Sequence, residues 1–152
     1  MSTSNQDGRP ISDRTFAHSP SSKRALKAIA GVSFFYDVGV GLFLSFGRGL
    51  LVDWFGVAPP QPPIHADLNA VFVTIVGLGY VLPYRDPDRY RAYLWLMGPL
   101  LKGIGALVFV LDYAVRGSPR SFLLFAVSDG VLALITLIAL VQTTNRSADQ
   151  AR

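Results

Sequence analysis

The segment that decides the fold is MGPLLKGIGALVF, residues 97–109. It is apolar except for Lys102, and the uncharged run around that lysine extends from Ala92 to Leu111. A lysine is almost never fully buried in a soluble protein without a partner, and inside a membrane span it costs roughly 2.5–3.5 kcal/mol. Two questions follow: whether this run crosses a membrane, and which groups face Lys102.

The composition answers the first question. Hydrophobic residues make up 51% of the 152 residues and charged residues only 16%, against about 25% charged residues in ordinary soluble proteins. The polar residues crowd into the two ends and the connections, which leaves long apolar blocks of the length that a membrane requires. A helix of about 22 residues covers roughly 33 Å, enough for a hydrocarbon core of about 30 Å. The predicted spans are residues 25–46, 64–84, 93–115 and 121–143.

The remaining segments complete the predicted fold. Residues 47–57 are too short to span, and their apolar face with Trp54 predicts an interfacial helix. Residues 1–24 and 144–152 are predicted to be polar tails, the first of them disordered. The predicted fold class is therefore all-α: an integral membrane four-helix bundle, with a short interfacial helix between spans 1 and 2.

The distribution of basic residues predicts the orientation. Four spans place both termini on one side, which then carries ten of the 14 lysines and arginines, while the other side carries three. Because positive charge is enriched in cytoplasmic segments, we expect a multi-pass protein of the cell membrane with both termini in the cytoplasm. Topology explains the net charge of +4 better than nucleic acid does, since the basic residues are dispersed at the ends of the apolar blocks.

The polar residues inside the spans predict a polar core. Asp37, Lys102 and Asp129 lie near mid-depth in an antiparallel bundle, and Asn69 lies on a small-residue face of the second span. Unpaired charges are costly in hydrocarbon, so Lys102 is expected between the two aspartates. Two aspartates and one lysine leave one excess negative charge. The network can serve packing alone, or it can serve a ligand, a proton or catalysis, and the sequence leaves this choice open.

Four more polar residues lie toward the opposite end of the bundle from the termini: His65, Asp67, Asp112 and Tyr113. They are candidates for the outer mouth of the polar core. His65 has an equally simple interpretation as an ordinary surface residue beside the proline segment. Asp112 and Tyr113 fit the headgroup boundary.

Several kinds of chemistry are excluded or lack a motif. The chain has no cysteine, which excludes disulfides, thiolate metal sites and cysteine nucleophiles. Only one of the two histidines lies near the membrane, so we predict no metal site and no cofactor. No residue pattern assigns a catalytic role. The expected partners are the lipid bilayer and either a small hydrophobic ligand or another membrane protein.

Four features carry a resemblance to a family: Trp54-Phe55-Gly56, Gly77-Leu78-Gly79-Tyr80, the lysine-containing third span, and Ser128-Asp129-Gly130. Over residues 25–141 the layout resembles small four-span bacterial membrane proteins of the DoxX-like kind. The resemblance implies a four-span bundle, and some such proteins are similar to subunits of quinone-linked oxidoreductases. It carries over no catalytic residue, and without cysteine this chain has no thiol for redox chemistry.

Three functional hypotheses remain. The first is a non-enzymatic integral membrane protein, or an accessory membrane subunit, whose polar core sets helix packing. The second is a site for a lipid, quinone or sterol-like molecule in the outer half of the bundle, with Asp37 or Asp129 as a proton donor. The third, proton-coupled transport, ranks last because the chain is small and shows no inverted repeat. A bundle packed solid around Lys102 would exclude the second hypothesis.

Overall fold

Helices account for all the regular structure in the part of the chain that is described. The computed structural model describes residues 20–56, 58 and 60–150, with the backbone alone for 20, 21 and 146–150. In chain order the elements are α1 (Pro20–Phe46), α2 (Arg48–Phe55), α3 (Ile64–Gly79), α4 (Val81–Arg85), α5 (Arg91–Trp95), a π-helical segment (Leu96–Lys102), α6 (Gly103–Arg116) and α7 (Phe122–Gln150).

Four helical spans are long and apolar enough to cross a membrane: Ser22–Phe46, Ile64–Arg85, Arg91–Arg116 and Phe122–Asn145. We call them the first to fourth spans; α3 and α4 together form the second, and α5, the π-helical segment and α6 form the third. Many large apolar side chains point away from the bundle, such as Phe35, which is 76% exposed. This outward apolar surface is what a bundle in lipid requires. The prediction of an all-α four-helix membrane bundle is confirmed.

Several boundaries differ from the predicted ones. The helix α1 already begins at Pro20, inside the predicted tail, because proline is well tolerated at a first helical position. At the other end α7 continues to Gln150 rather than ending at 143, since residues 144–150 contain neither glycine nor proline. The interfacial helix α2 ends at Phe55, where Gly56 adopts a left-handed φ of 62°. The remaining predicted tail residues, 1–19, 151 and 152, lie outside the described residues, as does residue 57.

Two glycines allow α1 and α3 to approach closely. A Cβ on Gly77 would lie 2.7 Å from the backbone nitrogen of Val38, and one on Gly41 would lie 2.9 Å from that of Thr74. Larger residues would force the two backbones apart. Small residues at such contacts are typical of helix association in lipid, where the hydrophobic effect does not drive helices together.

The second span is interrupted at Tyr80, where the backbone N–H bonds to the Gly77 carbonyl only three residues earlier, at 3.0 Å. The Val76 carbonyl then accepts a hydrogen bond from the Tyr93 hydroxyl at 2.5 Å. A carbonyl in hydrocarbon needs such a partner. The tyrosine therefore satisfies this interruption and ties the second span to the third.

The densest packing lies in the half of the bundle that is nearest both termini, which we call the terminal half. Five core side chains there are fully buried, at 0% exposure: Leu26, Ala30, Tyr80, Leu94 and Leu140. They come from the start of α1, the end of α3, the start of the third span and the end of α7. We call the opposite half, next to α2, the α2 half.

Candidate functional site

The π-helical segment positions the lysine that the sequence singles out. Pro99 lies inside this segment and has no N–H to give to a regular helical ladder. The wider turn accommodates the proline, and π-helical turns are frequent at functional sites. At the end of the segment, the side chain of Lys102 is turned into the bundle and is only 5% exposed.

The Lys102 ammonium lies between two carboxylates. Its Nζ is 2.5 Å from Asp37 Oδ1 on the first span and 3.3 Å from Asp129 Oδ1 on the fourth. The same nitrogen lies 4.7 Å from the centre of the Tyr36 ring, within the range of a cation–π interaction. One lysine therefore joins three spans. We call these four residues the Lys102 cluster.

The Tyr36 hydroxyl extends the cluster along the fourth span. It lies 2.6 Å from Ser128 Oγ, and Ser128 in turn donates to the Leu124 carbonyl at 2.9 Å. Either hydroxyl can be the donor in the bond between Tyr36 and Ser128, and the one proton of Ser128 cannot serve both bonds at once. Tyr36 was not among the polar-core residues predicted from the sequence. Its position next to Asp37, inside a span, was the available signal.

One carboxylate oxygen of the cluster has no hydrogen bond, and a second carboxylate is partly accessible. Asp37 Oδ2 is buried and has no partner in the described part of the chain. Asp129 bonds Lys102 through Oδ1, and its side chain is 18% exposed, so part of this carboxylate is accessible. With all three charged groups ionised, the cluster carries one net negative charge. The unsatisfied Asp37 oxygen is an acceptor.

A cavity of about 410 Å³ adjoins the cluster, lined by residues of all four spans. Asp37, Lys102 and Asp129 form part of its wall, and most of the rest is apolar or aromatic. The volume lies within the range of about 300–1,000 Å³ that is usual for small-molecule sites. The bundle is therefore not packed solid around Lys102.

A second cavity, of about 890 Å³, lies beneath α2. It shares Leu44, Asn69, Phe122 and Phe125 with the first cavity, so the two adjoin. We call them the inner cavity and the α2 cavity. The two adjoining cavities extend from beneath α2 to the Lys102 cluster.

Two contacts hold α2 over this space. Arg48 at its start pairs with Asp67 of α3. At its end, the Phe55 carbonyl accepts a hydrogen bond of 3.0 Å from the Ser121 hydroxyl, next to the start of α7. The interfacial helix thus connects the second span to the loop before the fourth.

Asn69 was predicted in the polar core, and it lines the same cavity as the charged groups but lies apart from them. Its side chain is exposed and lies on the wall between the two cavities, with no hydrogen bond to the cluster. The helix rise explains the difference. Asp37 packs at the level of Gly77, and Asn69 precedes Gly77 by eight residues, or about 12 Å along α3.

The four predicted mouth residues occupy different places. His65 lines the α2 cavity, and Asp67 lies beside it in the pair with Arg48. Asp112 instead bonds Arg116 at 2.8 Å and also accepts from Ser118. Tyr113 is half-buried and, like Asp112, lines neither cavity. Position along the span placed these two near the mouth, but their side of α6 directs them elsewhere.

Aromatic side chains form one wall of the inner cavity, which was not predicted from the sequence. Phe109 stacks on Phe125 with ring centres 5.8 Å apart and lies 5.9 Å from Phe122. All three line the inner cavity. Phe122, close to the start of the fourth span, thus faces the cavity. The spacing of Phe122, Phe125 and Asp129 along one helix face was the usable signal.

Comparison with protein-family models, with curated proteins and with solved structures finds no match to this chain. The resemblance to DoxX-like proteins therefore stays a prediction. Within residues 20–56, 58 and 60–150, no three His, Cys, Asp or Glu side chains lie together as a metal-ligand group. The fold and the site define a multi-pass membrane protein with a charged cluster beside an internal, largely apolar cavity.

Proposed function

We propose that this protein binds a small, largely apolar molecule in the space between α2 and the Lys102 cluster. The observation that carries the proposal is the inner cavity of about 410 Å³, which meets buried charged groups and adjoins the α2 cavity of about 890 Å³. Apolar walls with a few convergent polar groups are typical of ligand sites. Of the functions considered from the sequence, this arrangement favours the small-molecule site over a purely structural core.

The fully buried residues of the terminal half support the same proposal. There the chain buries five core side chains completely, so this sequence is able to pack helices without leaving space. The inner cavity extends into the α2 half, where the aromatic side chains Phe109, Phe122 and Phe125 line it. Such localised space next to charged groups favours a ligand as its occupant.

Both termini are proposed to lie in the cytoplasm, with α2 on the outer surface. The support is the bias of ten basic residues against three together with the positive-inside rule. In this orientation the α2 cavity opens toward the outer leaflet and the outer surface. A ligand would then reach the site from that side.

A pair of glycine variants tests the binding function. Gly105 lines the inner cavity, and a Cβ there meets no atom within 4 Å; the same holds at Gly39, which is exposed and lines neither cavity. Gly105→Leu should fill the cavity without a clash, and Gly39→Leu is its matched control. Both replacements also raise helix propensity, by about 1 kcal/mol.

The measurement is the thermal midpoint of the purified protein with and without phenylbutanol, a neutral apolar probe. A ligand that binds only the folded state raises this midpoint. We expect a rise for the wild type and for Gly39→Leu, and none for Gly105→Leu. An equal rise in all three proteins, or no rise in the wild type, would contradict binding in this cavity.

A structural role of the cluster is the second candidate, favoured by the contacts of Lys102 with the first and fourth spans. In that case the protein is an accessory subunit, and the charges fix only which helix packs on which. The triple variant Lys102→Met, Asp37→Leu and Asp129→Leu separates the two functions. Folding with an unchanged cellular phenotype would support the structural role; folding with loss of phenotype would support the ligand site.

A further inference from the structure

The polar groups at the deep end of the inner cavity select one chemical class of ligand. We infer that the cavity takes an apolar molecule with a cationic N–H donor at its end, such as a protonated lipophilic amine, bound against Asp129 and Asp37. This inference rests on the proposed binding function and specifies its ligand.

The hydrogen-bond donors of the Lys102 cluster already have partners within the bundle. The Lys102 ammonium is directed at Asp37 and Asp129 and lies over the Tyr36 ring. The hydroxyls of Tyr36 and Ser128 hydrogen-bond to each other, and Ser128 Oγ also lies within hydrogen-bond distance of the Leu124 carbonyl. The hydrogen-bond donors of the cluster are therefore committed, so a ligand that offers only acceptors finds no free donor at this end.

The Asp37 carboxylate keeps one oxygen that accepts no hydrogen bond within the described residues. The Asp37 side chain is 5% exposed, lines the cavity, and has an Oδ2 without a hydrogen-bond partner in the described residues. Asp129 presents a more accessible carboxylate, 18% exposed, to the same cavity. An unpaired buried carboxylate oxygen is costly. A donor from the ligand would bind the more accessible Asp129 carboxylate directly, next to the Asp37 carboxylate in the same cavity wall.

The net negative charge of the cluster also favours a cationic ligand. Asp37 and Asp129 together exceed Lys102 by one negative charge, and the other charged residues next to this space, Arg48 and Asp67, already pair with each other. A monocation in the cavity would make the deep end neutral. The aromatic rings of Tyr36, Phe109 and Phe125 also line it, and their faces attract cations. Asn69, which carries both a donor and an acceptor, lies nearer α2 and does not discriminate.

The test compares three probes with the same apolar body: phenylbutylamine, phenylbutanol and phenylbutanoate. Binding to the detergent-purified full chain is measured from the thermal midpoint as a function of probe concentration. In the wild type we expect the amine to bind at least about tenfold more tightly than the alcohol, because it gains an opposite charge in a site of low dielectric. The carboxylate should bind most weakly.

Two variants locate this preference. Asp129→Asn keeps the shape of the side chain and makes the cluster neutral, so it should abolish the advantage of the amine and leave binding of the alcohol. Asp112→Asn is the matched control, because Asp112 bonds Arg116 and Ser118 and lines neither cavity. It should keep the advantage of the amine unchanged.

The outcomes distinguish the two levels of the proposal. Equal binding of amine and alcohol by the wild type would overturn the cationic ligand and leave the binding function standing. Absence of binding by every probe would overturn both. An amine preference that survives in Asp129→Asn would overturn the assignment to this cluster. If Asp129→Asn does not fold, the ranking of the three probes in the wild type decides.

Discussion

In the terminal half, Leu26, Tyr80 and Leu94 are fully buried, whereas in the α2 half Phe122 and Phe125 line open space. Both halves belong to the same four spans. The difference lies in what holds the helices together at each end. A short apolar chain can thus combine a fully buried helix contact at one end with a cavity at the other. The contacts between its helices, rather than its composition, make the difference.

The terminal half is closed by direct ties between neighbouring spans. Arg91 donates 2.6 Å hydrogen bonds to the Leu140 carbonyl and to Thr144 Oγ1, and Tyr93 bonds the Val76 carbonyl. At the other end, α2 lies between the first two spans and is held by contacts at its two ends. The Lys102 cluster lies where the dense packing gives way to the cavity.

The largest expected effect is at this boundary. Lys102→Met leaves Asp37, 97% buried, without its partner, and breaking one side of a buried ion pair costs about 3–5 kcal/mol. Titration with a denaturing detergent measures the free energy of unfolding. The triple replacement by Met, Leu and Leu should recover most of the loss. A single variant as stable as the wild type would mean that the cluster is not a buried ion pair.

Leucine truncations compare the two halves within one span. Leu94 is fully buried in the terminal half, while Leu101 is 38% exposed and borders the inner cavity. Leu94→Ala should lower the free energy of unfolding by about 2–5 kcal/mol because it creates a new void. Leu101→Ala should cost clearly less, since it only enlarges existing space. Equal losses, measured by the same titration, would remove the distinction between the halves.

The hydrogen bond at the helix interruption should have a smaller effect. Tyr93→Phe removes the donor to the Val76 carbonyl and should cost about 1 kcal/mol. Tyr113→Phe is the control, because that half-buried tyrosine makes no side-chain hydrogen bond within the described residues. If the two variants lose the same stability, the bond across the second and third spans does not tie them.

The smallest effect on stability is expected at α2. Asp67→Asn breaks the ion pair with Arg48. The side chains of Asp67 and Arg48 are 47% and 41% exposed, so the loss in free energy of unfolding should stay below about 1 kcal/mol. Dissociation of phenylbutylamine should nevertheless become faster, because α2 is then held over the cavity at one end only. Asp53→Asn, at an exposed position on the same helix, should leave the dissociation rate unchanged. An unchanged rate in Asp67→Asn would show that this pair does not close the site.

Much of the fold could be predicted because it depends on long-range composition. Apolar blocks of span length are visible without any knowledge of contacts, and depth along each span placed Lys102 near Asp37 and Asp129. Gly41 and Gly77 lie at the contact between α1 and α3, where small residues are typical of helix packing in lipid. Helix ends were less predictable, since α1 and α7 extend past the apolar blocks into segments that composition assigns to tails.

The site was harder to predict than the charges that mark it. A cavity depends on how the helices pack together. The sequence pattern does not show whether side chains that face each other are in contact. Asn69 shares a helix face with small residues, yet the rise along α3 keeps it away from the cluster. Asp112 sits at the right depth, but a hydrogen bond to its neighbour Arg116 directs it away. The rotation of α6 and α7 that turns Phe109 and Phe122 inward becomes visible only in three dimensions.

The contrast between the halves can be tested most directly by chemical access, because the chain contains no cysteine. Gly105→Cys places a single thiol on the wall of the inner cavity, and Ala30→Cys places one in the terminal half at a position with 0% exposure. The reagent is aminoethyl methanethiosulfonate, a small cationic compound that modifies thiols. We predict modification of Gly105→Cys in the folded protein, slowed by phenylbutylamine, and modification of Ala30→Cys only after unfolding. Equal protection of the two thiols in the folded protein would contradict the cavity and the proposed function with it.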